Sequence, residues 1–190
     1  MSDYSDLEIA PETVLVRGLL EPDGEFVAAE QFRSAMRIFA TGVVIVTTED
    51  EDGVKGLTIN SCCSISVKPP KVLISLAHTA SLREPLLRRR RFGLSILGVE
   101  QLELAERGAV PGGPKAVDAF VERLSEDGPA TIAGALAHLD CSVSTTFEVS
   151  DHTLVIGLVE EAVVGAGAPL IYFDRTFRSI GNPLEKGQQA

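Results

Sequence analysis

The segment from residue 135 to residue 159 constrains the fold most, because its pattern follows the two-residue period of a β-strand. Positions that share one face alternate with mostly polar neighbours at Leu139, Cys141, Val143, Thr145, Phe147 and Val149. Residues 150–152 then form a turn, and residues 153–159 read as the returning strand. The sequence therefore predicts a long antiparallel hairpin.

Shorter apolar runs predict further strands at residues 43–48, 71–77, 92–97, 169–173 and 176–180. The acidic segment 49–53 is read as a hairpin turn, because it lacks the spaced ligands of a calcium loop. Helical spacing predicts helices at residues 31–40, 100–107 and 117–124. Many strands joined by hairpins, with few helices, predict a mainly β protein with a Greek-key antiparallel barrel.

The first predicted helix is amphipathic. Its apolar positions are Phe32, Ala35, Met36 and Phe39, and Thr41 and Gly42 supply a stop signal after it. We expect these apolar side chains to lie in the core.

Small polar side chains are unusually dense in residues 56–72, which otherwise read as strand. They are Thr58, Asn60, Ser61, Ser64 and Ser66, and the segment carries almost no charge before Lys68. A flat ligand that accepts and donates hydrogen bonds is one explanation, since short hydroxyl and amide side chains allow close approach of the backbone. A Ser/Thr-rich strand of a barrel is the other. Both remain open at this point.

Ser81 and Glu84 have the spacing of a capping box, which predicts a helix that begins after the strand at residues 71–77. The hydroxyls of Thr79 and Ser81, with Arg83 close by, would then gather at the positive end of the helix dipole. A phosphate site and a simple helix cap both fit this pattern.

Composition excludes several classes of function. The net charge of −10 at pH 7 argues against nucleic-acid binding. Cys62, Cys63 and Cys141 have neither a disulfide framework nor metal-ligand spacing. No apolar run approaches the roughly 20 residues of a membrane span, and a secretory signal is lacking, so we expect a cytoplasmic protein. No dinucleotide-fold, Walker A, serine-hydrolase or zincin motif is present.

The chain length suits one hydrophobic core. We expect an acidic N-terminal arm at residues 1–29, one domain at residues 30–181 and a C-terminal tail at residues 182–190. Residues 13–16 of the arm could add a short strand.

Seven short motifs occur in order at residues 32–43, 56–61, 64–70, 92–97, 139–141, 151–152 and 169–172. Together they resemble the flavin reductase-like family, whose members have an FMN-binding split barrel. The resemblance covers residues 30 to 180. It implies a homodimer that binds FMN (or FAD) and uses NADH or NADPH as the hydride donor.

The resemblance also implies a set of site residues. His152 would be the catalytic residue, beside the nicotinamide and the flavin. The cofactor-binding residues would be Thr58, Ile59, Asn60, Ser61, Cys62, Ser64, Ser75, Leu76, Ala77, Thr79 and Ser81. Within this set Thr58 to Ser61 would meet the isoalloxazine ring, and Thr79 and Ser81 would take the phosphate. The sequence departs from the family pattern at Cys62, where an aromatic residue is usual.

Three functions follow from the resemblance. The first is an NAD(P)H:flavin oxidoreductase that delivers reduced flavin by diffusion to a separate monooxygenase. The second is a flavoprotein that holds FMN tightly and acts on its own organic substrate. The third is a non-catalytic module that binds flavin or haem.

Overall fold

The computed structural model describes residues 26–110 and 117–181. The predicted strand at residues 13–16, most of the acidic arm and the C-terminal tail from residue 182 lie outside these ranges. The α-helices are α1 (Ala29–Arg37), α2 (Arg83–Arg89) and α3 (Leu102–Ala109). The strands are β1 (Thr41–Gly42), β2 (Val44–Asp50), β3 (Gly53–Ile59), β4 (Cys62–Val67), β5 (Pro70–Ala77), β6 (Arg91–Ile96), β7 (Val121–Arg123), β8 (Ala130–Ile132), β9 (Ala137–Val149), β10 (His152–Val164), β11 (Leu170–Phe173) and β12 (Thr176–Ser179).

Seven strands form one antiparallel sheet in the order β3-β2-β6-β9-β10-β5-β4. The predicted long hairpin is confirmed as β9 and β10, which are inserted between β6 and β5. Because β5 and β6 follow one another in the chain but are separated in the sheet, the connection is of the Greek-key kind. A second sheet has the order β1-β11-β12, and β7 pairs with β8.

Residues 56–67, which read as strand in the sequence, are divided between two strands in the structure. Asn60 and Ser61 lie between them, and these strands, β3 and β4, are the two outermost strands of the seven-stranded sheet. Three Cα–Cα steps separate Ile59 from Cys62, so these sheet edges lie within about 11 Å of one another. The sheet must therefore roll up into a barrel.

Two hydrophobic clusters occupy the two faces of the sheet, and β2 contributes to both. Val44 and Val46 pack in the first cluster with β5, β6, β9, β10 and α2. Ile45, and Val43 just before the strand, pack in the second cluster with α3 and β8. This alternation follows the two-residue period, and it explains why β2 is a continuous apolar run.

The prediction of a helix through residues 117–124 is wrong. A short 3-10 turn at Asp118–Phe120 leads into β7 instead. Val117 N–H donates to the carbonyl of Val54 over 3.1 Å, and an Asp118 carboxylate oxygen accepts from Val54 N–H over 2.9 Å. These bonds to β3, together with the β7–β8 ladder, outweigh the helical spacing of the apolar residues.

The first helix forms, but the prediction that its apolar side chains lie in the core is wrong. Phe32 is 57% exposed, Met36 48% and Phe39 63%, and no residue of α1 is buried. The helix ends at Arg37, before the predicted stop, and Arg37 O accepts a hydrogen bond from Asp174 N–H over 2.9 Å. An apolar face of α1 is therefore left at the surface of the chain.

No α-helix within residues 26–110 and 117–181 is long and apolar enough to cross a membrane. Cys62, Cys63 and Cys141 are free thiols.

We expect Gly93→Ala in β6 to destabilise the protein by more than about 2 kcal/mol, because overpacking against backbone is costly. A Cβ at residue 93 would overlap the carbonyl oxygen of Ala130 in β8. Gly42→Ala in β1 is the matched control, since its Cβ would meet no atom within 4 Å. Urea unfolding followed by circular dichroism measures both variants. Equal stability of the two would contradict the close packing of β6 on β8.

Candidate functional site

A cleft of about 540 Å³ lies where the chain passes from β3 to β4. Ten of the twelve predicted site residues line it: Thr58, Ile59, Asn60, Ser61, Ser75, Leu76, Ala77, Thr79, Ser81 and His152. Leu57, Ala80 and Ala109 complete the lining. The site residues come from β3, β5, β10 and the connection before α2, so the rolled sheet brings together segments that are distant in the sequence.

Two hydrogen bonds between Ser61 and Ser75 stabilise the floor of the cleft. Ser61 Oγ donates to the carbonyl of Ser75 over 2.8 Å, and Ser75 N–H donates to the carbonyl of Ser61 over 3.1 Å. These two hydrogen bonds join the β3–β4 connection to the end of β5. Because the side chains here are short, a flat ligand can approach the backbone closely.

Thr58 carries a hydroxyl that is buried and has no hydrogen-bond partner in the described part of the chain. A Cβ on Gly108 of α3 would overlap this hydroxyl, so α3 packs tightly over the end of β3. Ala109 follows Gly108 and also lines the cleft. Sequence reasoning missed Ala109, since its only signal is that a glycine precedes it at the end of a helix.

Cys62 and Ser64 are the two predicted residues that the structure places outside the cleft. Both lie on β4, where Cys62 packs against the barrel core and Ser64 is exposed. Burial, with a smaller contribution from Cys63, raises the pKa of the Cys62 thiol to about 11. Cys62 therefore stays protonated and unreactive near neutral pH.

The predicted capping box between Ser81 and Glu84 does not form. The N-cap residue of α2 is Leu82, and the Glu84 carboxylate pairs with Arg83 instead. Among the described residues, the hydroxyls of Thr79 and Ser81 make no hydrogen bond, and both residues line the cleft. These two hydroxyls are therefore available to a ligand.

Glu148, at the end of β9, connects the segments that border the cleft. Its carboxylate accepts hydrogen bonds from His78 Nε2 over 2.8 Å, from Arg83 Nη2 over 2.9 Å and from Thr153 Oγ1 over 3.0 Å. His78 and Arg83 flank residues 79–81, so one carboxylate holds both ends of the segment that carries the free hydroxyls. Arg83 is therefore engaged in positioning residues 79–81 and does not bind a ligand.

Opposing effects act on the pKa of Glu148. Burial raises it, but the hydrogen bond from Thr153 and the charge of Arg83 outweigh burial and bring the pKa below its ordinary value of 4.5. A carboxylate stabilised in this way remains ionised at neutral pH.

His152 begins β10 and pairs in register with Ala77 of β5. Its Nδ1 lies 2.8 Å from Asp151 Oδ1, and this hydrogen bond lowers the pKa of the Asp151 carboxyl. Because a carboxylate only accepts, Nδ1 must carry the proton. With the proton on Nδ1, Nε2 is left for a hydrogen bond to a ligand.

A model of the flavin reductase like domain matches residues 36–181. The chain belongs to the flavin reductase-like family. An NADH-dependent flavin reductase from a Rhodococcus species is 36% identical over 166 residues, which cover 86% of this chain and 91% of that relative.

Solved structures of the family agree with the observed fold. The styrene monooxygenase flavin reductase of Pseudomonas putida S12 matches with a TM-score of 0.74 and 34% identity over 80% of this chain and 99% of that chain. An NADH:FAD oxidoreductase of Streptomyces globisporus C-1027, in complex with NAD and FAD fragments, matches with a TM-score of 0.74 and 29% identity over 85% of this chain and 100% of that chain. The predicted family and the split-barrel fold are confirmed.

We expect Glu148→Gln to lower the free energy of unfolding by about 1–3 kcal/mol at pH 7, because hydrogen bonds to a charged acceptor are lost. The pKa of Glu148 is lowered in the folded protein, so its stabilising effect is present above pH 4.5 and is lost as the pH falls further. The difference between wild type and variant should therefore shrink below pH 4.5. Urea unfolding across pH measures it.

Glu160→Gln is the matched control for a second measurement on Glu148→Gln, the affinity for flavin. Glu160 pairs with Arg91 over 2.9 Å, the same distance as the pair between Glu148 and Arg83, but it lies away from the cleft. We expect Glu160→Gln to leave flavin affinity unchanged and Glu148→Gln to weaken it. Equal flavin affinities in the two variants would contradict the positioning role of Glu148.

Proposed function

We propose that the protein is an NADH-dependent flavin reductase that transfers a hydride to FMN or FAD in the cytoplasm and supplies the reduced flavin to a separate monooxygenase. The observation that carries this proposal is the cleft between β3 and β5, in which the residues expected to bind flavin converge in a member of the flavin reductase-like family. The relatives named as NADH-dependent reductases and as a monooxygenase flavin reductase support it.

The residues present fit a flavin. Backbone and short side chains from Thr58 to Ser61 form a flat wall, and the unengaged hydroxyls of Thr79 and Ser81 suit a phosphate. The cleft volume of about 540 Å³ is within the usual range for small-molecule sites. The buried, unpartnered hydroxyl of Thr58 is a further polar group in the wall.

When bound, the flavin supplies the hydride chemistry by accepting a hydride from the reduced nicotinamide and leaving as reduced flavin. The protein contributes binding and orientation. Ser61 and Ser75 fix the floor, Thr79 and Ser81 would hold the phosphate, and His152 would offer Nε2 for a hydrogen bond. Hydride transfer depends above all on the positions of donor and acceptor, so a dedicated acid or base is not required.

The exposed apolar face of α1 supports a homodimer. Phe32 and Met36 of α1, and Phe39 two residues after its end, are about half exposed or more. Large contiguous apolar patches usually mark an interaction surface. A second copy of the chain, seated on α1, would remove these side chains from water.

Added flavin should be required for NADH oxidation by the purified protein, which is measured by the loss of absorbance at 340 nm.

Ser81→Ala should raise the KM for flavin about tenfold, because a hydrogen bond to the phosphate is lost. Ser64→Ala is the control, since Ser64 lies outside the cleft. NADPH, FMN, FAD and riboflavin are tested in parallel. Absence of flavin-dependent oxidation with either nucleotide would refute the proposed function.

Phe32→Glu should convert a dimer to a monomer, because it places a charge in an apolar interface. Ser34→Glu introduces the same side chain on the opposite face of α1 and should leave the dimer intact. Sedimentation velocity gives the masses, and wild type should run at twice the 20.2 kDa chain mass. A monomeric wild type, or a dimeric Phe32→Glu variant, would rule out this interface.

A further inference from the structure

Helix α3 borders three depressions of the protein surface. The first cleft is the one described above, which α3 lines with Ala109. The second cleft, of about 410 Å³, adjoins the first across the end of β3 and takes its charged groups from Glu106 and Arg175. The third depression, here named the outer groove, has a volume of about 560 Å³ and shares no lining residue with either cleft. The outer groove is therefore a separate site.

Hydrogen bonds join the walls of the outer groove, so its shape is fixed before any ligand binds. Gln101 Oε1 accepts from Gly98 N–H over 2.7 Å, and Gln101 Nε2 donates to the carbonyl of Gly134 over 2.7 Å. Ala133 N–H donates to the carbonyl of Phe120 over 2.8 Å. These bonds connect the start of α3, the end of β8 and the 3-10 turn before β7. The volume of the groove lies in the usual range for small-molecule sites.

The floor of the outer groove is apolar. Leu104 of α3 and Ile132 of β8 line it and are buried, and the Phe120 ring at its edge is 42% exposed. A ligand with an apolar group would cover this ring and remove further apolar surface from water. The floor therefore suits an aliphatic or aromatic side chain.

Arg107 contributes a cation to the same groove. Its Cζ lies 5.9 Å from the centroid of the Phe120 ring, a contact that orients the guanidinium without using its N–H groups. Glu103 lies one helical turn before Arg107, a spacing at which opposite charges commonly pair. The two side chains form no salt bridge, and no other carboxylate within residues 26–110 and 117–181 pairs with Arg107.

Glu100 and Glu103 contribute two carboxylates to the groove. Neither takes part in a salt bridge or a side-chain hydrogen bond in the described part of the chain. Residues four apart on a helix are separated by about 6 Å, so Glu103 and Arg107 are within reach of one small ligand. A ligand that carries both an ammonium and a carboxylate would satisfy both signs of charge, whereas an ion of one sign would be repelled by one of them.

We propose that the outer groove binds an α-amino acid with an aromatic or aliphatic side chain. Arg107 receives the carboxylate of this ligand, and Glu103 receives its ammonium group. The side chain of the ligand packs on Leu104 and Phe120. This site does not depend on the proposed function, although the ligand would contact the helix that also borders the first cleft.

Titration of the isotope-labelled protein with L-phenylalanine, followed by NMR amide correlation spectra, tests the site directly. We expect saturable shifts confined to the amides around residues 100–107, 119–120 and 132–133, with a Kd of about 1 mM. Phenethylamine lacks the carboxylate, phenylpropionate lacks the ammonium and L-serine lacks the apolar side chain, so each should bind about tenfold more weakly or worse. Absence of saturable shifts, equal affinities of the four compounds or displacement of phenylalanine by FMN would overturn the proposal.

Two matched pairs of variants assign the contacts. Arg107→Gln should weaken phenylalanine binding about tenfold without weakening phenethylamine, because only the contact to the carboxylate is lost. Arg178→Gln is its control, since Arg178 also lies over a ring, that of Phe173 at 5.3 Å, but outside the groove. Glu103→Gln should weaken phenylalanine without weakening phenylpropionate, and Glu106→Gln, on the same helix but in the second cleft, is its control. Equal effects of a variant and its control would contradict the proposed contacts.

Discussion

The short link between β3 and β4 is the constraint on which the rest of the structure depends. These strands are the two outer edges of a seven-stranded sheet, yet only Asn60 and Ser61 separate them in the chain. The sheet has to curve until these edges come close, and the bonds between Ser61 and Ser75 continue the β4–β5 ladder into the link between the edges. The link that brings the two edges close therefore also supplies two residues of the cleft, Asn60 and Ser61.

In the site, uncharged groups form the surface of the cleft and charged groups position the segments around it. The floor is backbone and short side chains, which give shape but little charge. The charged groups do not line the cleft. They lie beside it, where Glu148 is bonded to His78, Arg83 and Thr153. Thr79, Ser81 and His152 line the cleft, while the ionic network holds both ends of the segment that carries Thr79 and Ser81. A charged network of this kind stabilises a geometry without competing for the ligand.

Local patterns predicted most of this arrangement. The alternation from Leu139 to Val149 predicted the central hairpin, and ordered motifs predicted ten residues of the cleft. Features that depend on contacts between residues far apart in the chain could not be predicted from local sequence patterns. Amphipathic spacing in α1 indicates a packing face but not what covers it. Val117 follows helical spacing, yet its hydrogen bond to Val54 draws that segment onto β3, and Arg83 takes the carboxylate that the capping box required.

The two clefts differ in how far their lining residues can be substituted without loss of the fold. The first cleft is lined by residues of the barrel strands and their link, so a change at Ser61 or Ser75 would alter the barrel as well as the cleft. The second cleft takes its polar groups from Glu106 on a helix and Arg175 on a hairpin turn, neither of which belongs to the barrel core. Side chains on such peripheral elements can change without loss of the fold. Substitutions at Glu106 or Arg175 should therefore disturb the fold less than substitutions at Ser61 or Ser75.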